Sequence, residues 1–196
     1  DLVLTDLSSG MVAEAKERVE ATGAFASVEA RVADLGSLPF DDASFDRVIA
    51  NHMLYHLPDP AAGVAELARV VRPDGRVVAA TNGPGQLQPL WSIRADVFGT
   101  RPVETTVEAF GRETGRPLLG RAFGEVRWEQ YDDELHCTDV EDLMAYVCSS
   151  PPGEDATPEQ LAALRAALTA AMAAGDGVLR VDKDTGCFVA ERPLGG

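Results

Sequence analysis

Lysine is nearly missing from this chain. Lys16 and Lys183 stand against fifteen arginines, and the seventeen basic residues face 32 acidic ones, for a formal net charge of −15. Nucleic acids and anionic membrane surfaces are gripped by clustered cations, so this balance argues against both as partners and favours a small-molecule ligand. Long apolar runs are missing too: none approaches the roughly 20 residues that cross a bilayer, and no secretory signal is visible. Cysteine is scarce, and Cys137, Cys148 and Cys187 are far apart and in no metal-ligand spacing. That pattern fits inert thiols in a reducing, cytoplasmic setting, with neither a disulfide framework nor a metal site. His136 beside Cys137 does not change this, because neighbours on a strand point to opposite faces.

What is present fits one compact domain over residues 1–196, with 45% hydrophobic and 25% charged residues. From residue 1 to about 83 strand and helix patterns alternate, which predicts a mostly parallel, doubly wound sheet with helices on both faces. Leu2 to Asp6 reads as a strand, and residues 9–22 as a helix capped by Ser8, with Val12, Ala15 and Val19 on one stripe. Val28 to Val32 is the next strand. Phe45 to Asn51 follows, its Val48-Ile49-Ala50 run expected to be buried on both faces. Asp59-Pro60 starts a helix buried through Val64, Leu67, Ala68 and Val71. Pro73-Asp74-Gly75 then turns into a strand over 76–81.

The alternation breaks after Asn82. Residues 83–123, with Trp91, Phe98 and Phe110, are expected to form two short helices as a lid inserted over the ligand crevice. Val126 to Leu135 resumes the sheet. Thr138-Asp139-Val140-Glu141 and Thr157-Pro158-Glu159-Gln160 read as capping boxes opening helices to Cys148 and Ala174. Leu161, Leu164, Leu168 and Met172 mark the buried face of the second. Val178–Val181 and Cys187–Ala190, joined through Asp184-Thr185-Gly186, read as a hairpin that ends the sheet with an antiparallel strand.

The chemistry-bearing residues follow the strands in order: Asp6 after the first, Asp34 after the second, Asn51-His52 after the third. Ligands of open α/β sheets lie outside the carboxyl ends of the strands, so all three converge on one crevice. Asp6 can accept from two ribose hydroxyls and Asp34, followed by Leu35, from an exocyclic adenine amine, with Leu7 and Met11 against the adenine face. The plainer roles are a helix cap for Asp6 and a turn for Asp34.

Asp34-Leu35 through Leu38-Pro39-Phe40, Phe45 to Asn51, Leu54-Tyr55-His56-Leu57-Pro58-Asp59 and Val71-Arg72-Pro73-Asp74-Gly75 together resemble class I S-adenosylmethionine-dependent methyltransferases. The branch is that of ubiquinone and menaquinone biosynthesis and of natural-product methyltransferases. The likeness covers residues 2 to about 82 and, more loosely, the last strands. It implies a Rossmann-like fold, S-adenosyl-L-methionine as cofactor, and cofactor contacts at Asp6, Leu7, Met11, Asp34, Leu35 and Asn51. The family's first strand and glycine loop have no counterpart in these 196 residues, and an upstream segment carrying them is the expectation.

The implied reaction is methyl transfer by in-line displacement to a small organic acceptor, oxygen or nitrogen ahead of carbon. His56 is the candidate general base, since histidine titrates in the useful range and members of this branch often carry one in the matching loop. Its plainer role is to fix that loop. Tyr55 stands behind it as a second catalytic candidate, and His52 and Trp91 are candidate acceptor contacts. Two other readings remain. A catalytically silent methyltransferase-like binding or scaffold domain fits the missing glycine loop. A nicotinamide-dependent oxidoreductase shares the sheet and the ribose acid, but the chain has no Tyr-x-x-x-Lys pair and its Phe45–His56 block resembles methyltransferases.

Overall fold

The computed structural model describes residues 1–102 and 106–194; residues 103–105, inside the expected lid, and 195–196 lie outside the described residues. Strand β1 (Leu2–Asp6) leads into helix α1 (Ser9–Glu20), whose N-cap Ser8 accepts the Met11 N–H, and then into β2 (Val28–Val32). β1 and β2 pair in parallel from Leu2↔Val28 to Asp6↔Val32 as a two-stranded sheet. α1 lays its predicted stripe, Val12, Ala15 and Val19, half-buried against this pair.

The second sheet has four strands. β3 (Phe45–Asn51) runs parallel to β4 (Val71–Asn82), with helix α2 (Pro60–Val70) between them in sequence. Asp59 caps α2 by accepting the N–H groups of Ala61 and Ala62, as its Asp-Pro start predicts. The predicted turn at Pro73-Asp74-Gly75 lies inside β4 as an irregularity: the three residues of β3 from Phe45 to Arg47 face the six of β4 from Val71 to Arg76. β5 (Phe123–Cys137) and β6 (Leu179–Pro193) pair antiparallel along their whole length, and β6 also pairs antiparallel with β4, giving the order β3-β4-β6-β5.

Two sequence expectations fail here. The hairpin expected around Asp184-Thr185-Gly186 is one continuous strand, with those residues opposite Asp132, Tyr131 and Gln130. Gly186 is needed for contact rather than for turning: a Cβ there would lie 2.6 Å from the Trp128 ring and 2.4 Å from the Glu129 carbonyl. The Val48-Ile49-Ala50 run is also not buried on both faces. β3 is an edge of its sheet, and Ile49 is 65% exposed while Ala50 is buried.

Residues 83–123 hold three described helices rather than two: α3 (Gln88–Phe98), α4 (Thr106–Phe110) and α5 (Arg112–Ala122). They divide between two cores. Phe110 of α4 and Leu119 of α5 join Leu54, Val64, Leu67, Val77, Ala79 and Phe188 in the core of the four-stranded sheet. Leu90 of α3 joins Leu143 and Val147 of α6 (Val140–Val147), Leu164 and Leu168 of α7 (Pro158–Ala174), and Leu179 and Val181 of β6 in a second core. The capping box of α7 forms as predicted, Thr157 accepting the Gln160 N–H while Gln160 accepts the Thr157 N–H. That of α6 does not, since its N-cap is Asp139. No helix among the described residues is long and apolar enough to cross a membrane.

Candidate functional site

Parallel pairing of β1 with β2 puts Asp6 opposite Val32, so Asp6 and Asp34 lie side by side beyond one edge. The two acids are built alike. Asp6 Oδ1 accepts the Ser8 N–H at 2.8 Å, and Asp34 Oδ1 accepts the Gly36 N–H at 2.8 Å. These two-residue turns fix each carboxylate on its own backbone and commit one oxygen. The second oxygen of each has no hydrogen-bond partner among the described residues. The turn foreseen as the plainer role of Asp34 is real, whereas the helix cap foreseen for Asp6 falls to Ser8, and each acid still has one acceptor left.

Leu7 and Met11 follow Asp6 and are 71% and 54% exposed, large apolar side chains left mostly open. Leu35 differs. It is 8% exposed and part of the sheet core, so its side chain anchors the Asp34 loop and only its backbone is left for a ligand. The loop is held from α2 as well: Arg69 donates to the carbonyls of Phe40 at 2.7 Å and Leu38 at 3.1 Å and to Asp42 at 2.9 Å, while Glu66 accepts the Leu38 N–H at 2.9 Å. The Arg69 guanidinium holds the Glu66 carboxyl below the usual glutamate range, and the carboxylates in turn raise Arg69.

Asn51 ends β3 exposed, opposite Ala80 of β4. His52 continues the ladder by donating its N–H to the Ala80 carbonyl at 3.0 Å, but with φ of 49°, a left-handed backbone that a residue with a Cβ adopts at a cost of about 1–2 kcal/mol. The chain then makes a 3-10 turn, Leu54–His56, anchored by fully buried Leu54. Half-buried Tyr55 meets exposed His56 edge-on at 4.6 Å and lies 6.5 Å from the His52 ring, so the three rings form one cluster at the strand end. α4 packs on this turn. Trp91 does not join the cluster in any ring contact. It packs against the second core, 6.2 Å from Tyr146 with the Arg94 guanidinium over its face, and its buried Nε1 has no partner among the described residues.

Sequence reading missed the far side of this edge. Thr81 and Asn82 end β4 as buried polar residues, and Thr81 donates to the Phe110 carbonyl at 2.6 Å. Asp184, on β6 beside them, takes bonds from both the turn after β4 and α5. A polar pair closing an otherwise apolar strand was the available signal for the first two. Asp184 is 99 residues from its partner Gly85, and no local pattern marks it.

Open α/β folds take their ligands outside the carboxyl ends of the strands, and here those ends bear two acids and a polar turn. Across the chain the architecture is a Rossmann-like fold found in other solved proteins. The YcgJ protein from Bacillus subtilis aligns over 98% of this chain and 82% of its own, with a TM-score of 0.64 and 15% identity. A Haemonchus contortus phosphoethanolamine N-methyltransferase, solved with phosphomonomethylethanolamine and S-adenosylhomocysteine, aligns over 98% of this chain and 43% of its own, with a TM-score of 0.51 and 17% identity. Residues 1–79 match the family described as a methyltransferase domain. The demethylmenaquinone methyltransferase of Beutenbergia cavernae is 41% identical over 80 residues, 41% of this chain and 31% of that protein. Over residues 1–79 the chain is similar to methyltransferase domains. It spans less than half the length of the curated relatives it matches.

Proposed function

We propose that the chain binds S-adenosylmethionine across the ends of β1, β2 and β3 and methylates a small organic acceptor, with oxygen or nitrogen as nucleophile. The observation that carries this is the Asp6 and Asp34 pair, each held by its own turn with one carboxylate oxygen uncommitted. A ribose diol and an adenine amine can each donate, and a carboxylate offers only acceptors, so the donor set fits. Exposed Leu7 and Met11 supply apolar surface for a flat purine.

Once bound, the cofactor supplies an electrophilic sulfonium methyl, and the protein's task is alignment. Asp6 holds the ribose, Asp34 and the Leu35 backbone hold the adenine, and Asn51 contacts the methionine portion. His56, with Tyr55 packed edge-on against it, takes the proton of a hydroxyl or ammonium acceptor. His52 contacts the acceptor beside the Leu54–His56 turn on which α4 packs.

Titration of the protein with S-adenosylhomocysteine, with NADH run alongside, tests the reading. Micromolar binding of the first and none of the second supports it. Binding of neither points to a methyltransferase-like binding domain without catalysis, and NADH binding points to an oxidoreductase.

A further inference from the structure

We propose that Asp184 is a positioning residue for the acceptor half of the crevice, acting through the turn from Gly83 to Leu87 and through Arg112; the assignment rests on the cofactor reading above. Asp184 is a strand residue whose side chain is only 15% exposed, yet both of its oxygens are engaged across the fold. Oδ2 accepts the Gly85 N–H at 2.9 Å, and Oδ1 accepts Arg112 Nη1 at 2.8 Å. Its carbonyl accepts the Gly83 N–H at 2.6 Å, and that of Asp182 accepts the Leu87 N–H at 3.1 Å. The turn that carries the chain from the end of β4 into α3, and so to Trp91, is zipped to β6 by three backbone N–H groups.

That turn is strained. Leu87 is buried at φ of 50°, a conformation costing a leucine about 1–2 kcal/mol, which persists only where surrounding bonds over-determine it. Gly83 lets the carboxylate come close, since a Cβ there would lie 2.2 Å from Asp184 Oδ2. On the other side, Arg112 opens α5 and also reaches Gln130 Oε1, which accepts from Trp128 Nε1 at 2.9 Å. One carboxylate therefore sets the positions of α3 and of the α5 start relative to the end of β4, at the same strand-end level as Asn51 and His52. Asp6 and Asp34 belong to the strand ends of the other sheet and share no hydrogen bond with this network among the described residues.

Hydrogen exchange of the protein and of Asp184→Ala, Asp184→Asn and Gly83→Ala, with S-adenosylhomocysteine titrated into each, tests the proposal. In Asp184→Ala, exchange over 83–98 and 111–115 rises about tenfold or more, that of α2 is unchanged, and affinity stays within about twofold. Asp184→Asn keeps an acceptor for the Gly85 N–H but no charge for Arg112, so 83–87 stays protected while 111–115 loosens. A mere packing role would let isosteric asparagine restore both segments. Gly83→Ala displaces an intact carboxylate and loosens both. Unchanged exchange in Asp184→Ala and Gly83→Ala, loosening of α2 in step, or affinity falling with protection overturns the proposal. Absence of binding by the unmodified protein is the failure of the cofactor reading, and it removes the acceptor-half role whatever the exchange pattern.

Discussion

Arg69 and Glu66 meet through two parallel hydrogen bonds, Nε to Oε1 and Nη2 to Oε2, each 2.8 Å long, one turn apart on α2. The pair is partly buried and serves the Asp34 loop, because the same guanidinium holds the Leu38 and Phe40 carbonyls and the same carboxylate holds the Leu38 N–H. Bidentate geometry of this kind is stronger and more directional than a single contact.

Loss of Arg69 strands a carboxylate and two carbonyls, so Arg69→Ala destabilises the protein by about 1–3 kcal/mol. Arg69→Lys recovers part of this, since an ammonium cannot fork. Chemical denaturation of the three proteins at neutral pH measures it, and equal stability of all three contradicts the clamp.

The same pair has a pH signature. Glu66 is depressed in the folded protein, chiefly by its hydrogen bonds from Arg69, with burial opposing. A depressed carboxylate contributes stability that is complete above its unfolded value and is lost as pH falls through the folded one. The stability difference between the protein and Glu66→Gln therefore narrows with acidification below the ordinary glutamate range. Denaturation midpoints across that range check it, and a gap that widens on acidification contradicts it.

The roles proposed for His56 and for Asp6 and Asp34 separate in kinetics. With any acceptor the protein turns over, His56→Ala lowers kcat by about 10²–10⁴-fold, the usual contribution of a general base, while S-adenosylhomocysteine affinity is nearly unchanged. A normal kcat assigns His56 to fixing the Leu54–His56 turn.

The second core supports α3 rather than the cofactor side. Leu168 is fully buried there, and Leu168→Ala costs about 2–5 kcal/mol. Hydrogen exchange should place the loosening in α3, α6 and α7, with α1 and β2 unaffected. Uniform loosening would show that the two cores melt as one.

Much of the first half of the fold is legible in sequence because its signals are local. Ser8, Asp59-Pro60 and Thr157…Gln160 cap the helices they precede, and Asp6, Asp34 and Asn51 fall on strand ends in register with the pattern. The failures are long-range. Gly186 carries turn chemistry by type but is a contact point for Trp128, and Ile49 looks like interior but sits on an edge strand. The division of 83–123 between two cores depends on which partners α3 and α5 meet, and the Asp184 network joins segments with no common pattern.

The central claim concerns the free oxygen of Asp6, and calorimetric titration of S-adenosylhomocysteine into the protein and into Asp6→Asn tests it most directly. Asparagine keeps an acceptor for the Ser8 N–H, so the turn survives, while the charge proposed to receive the ribose hydroxyls is gone. The account predicts micromolar binding to the protein and an affinity about 10–100-fold weaker for Asp6→Asn, from about 1.5–3 kcal/mol of charge-assisted hydrogen bonding. Equal affinity of the two would contradict it.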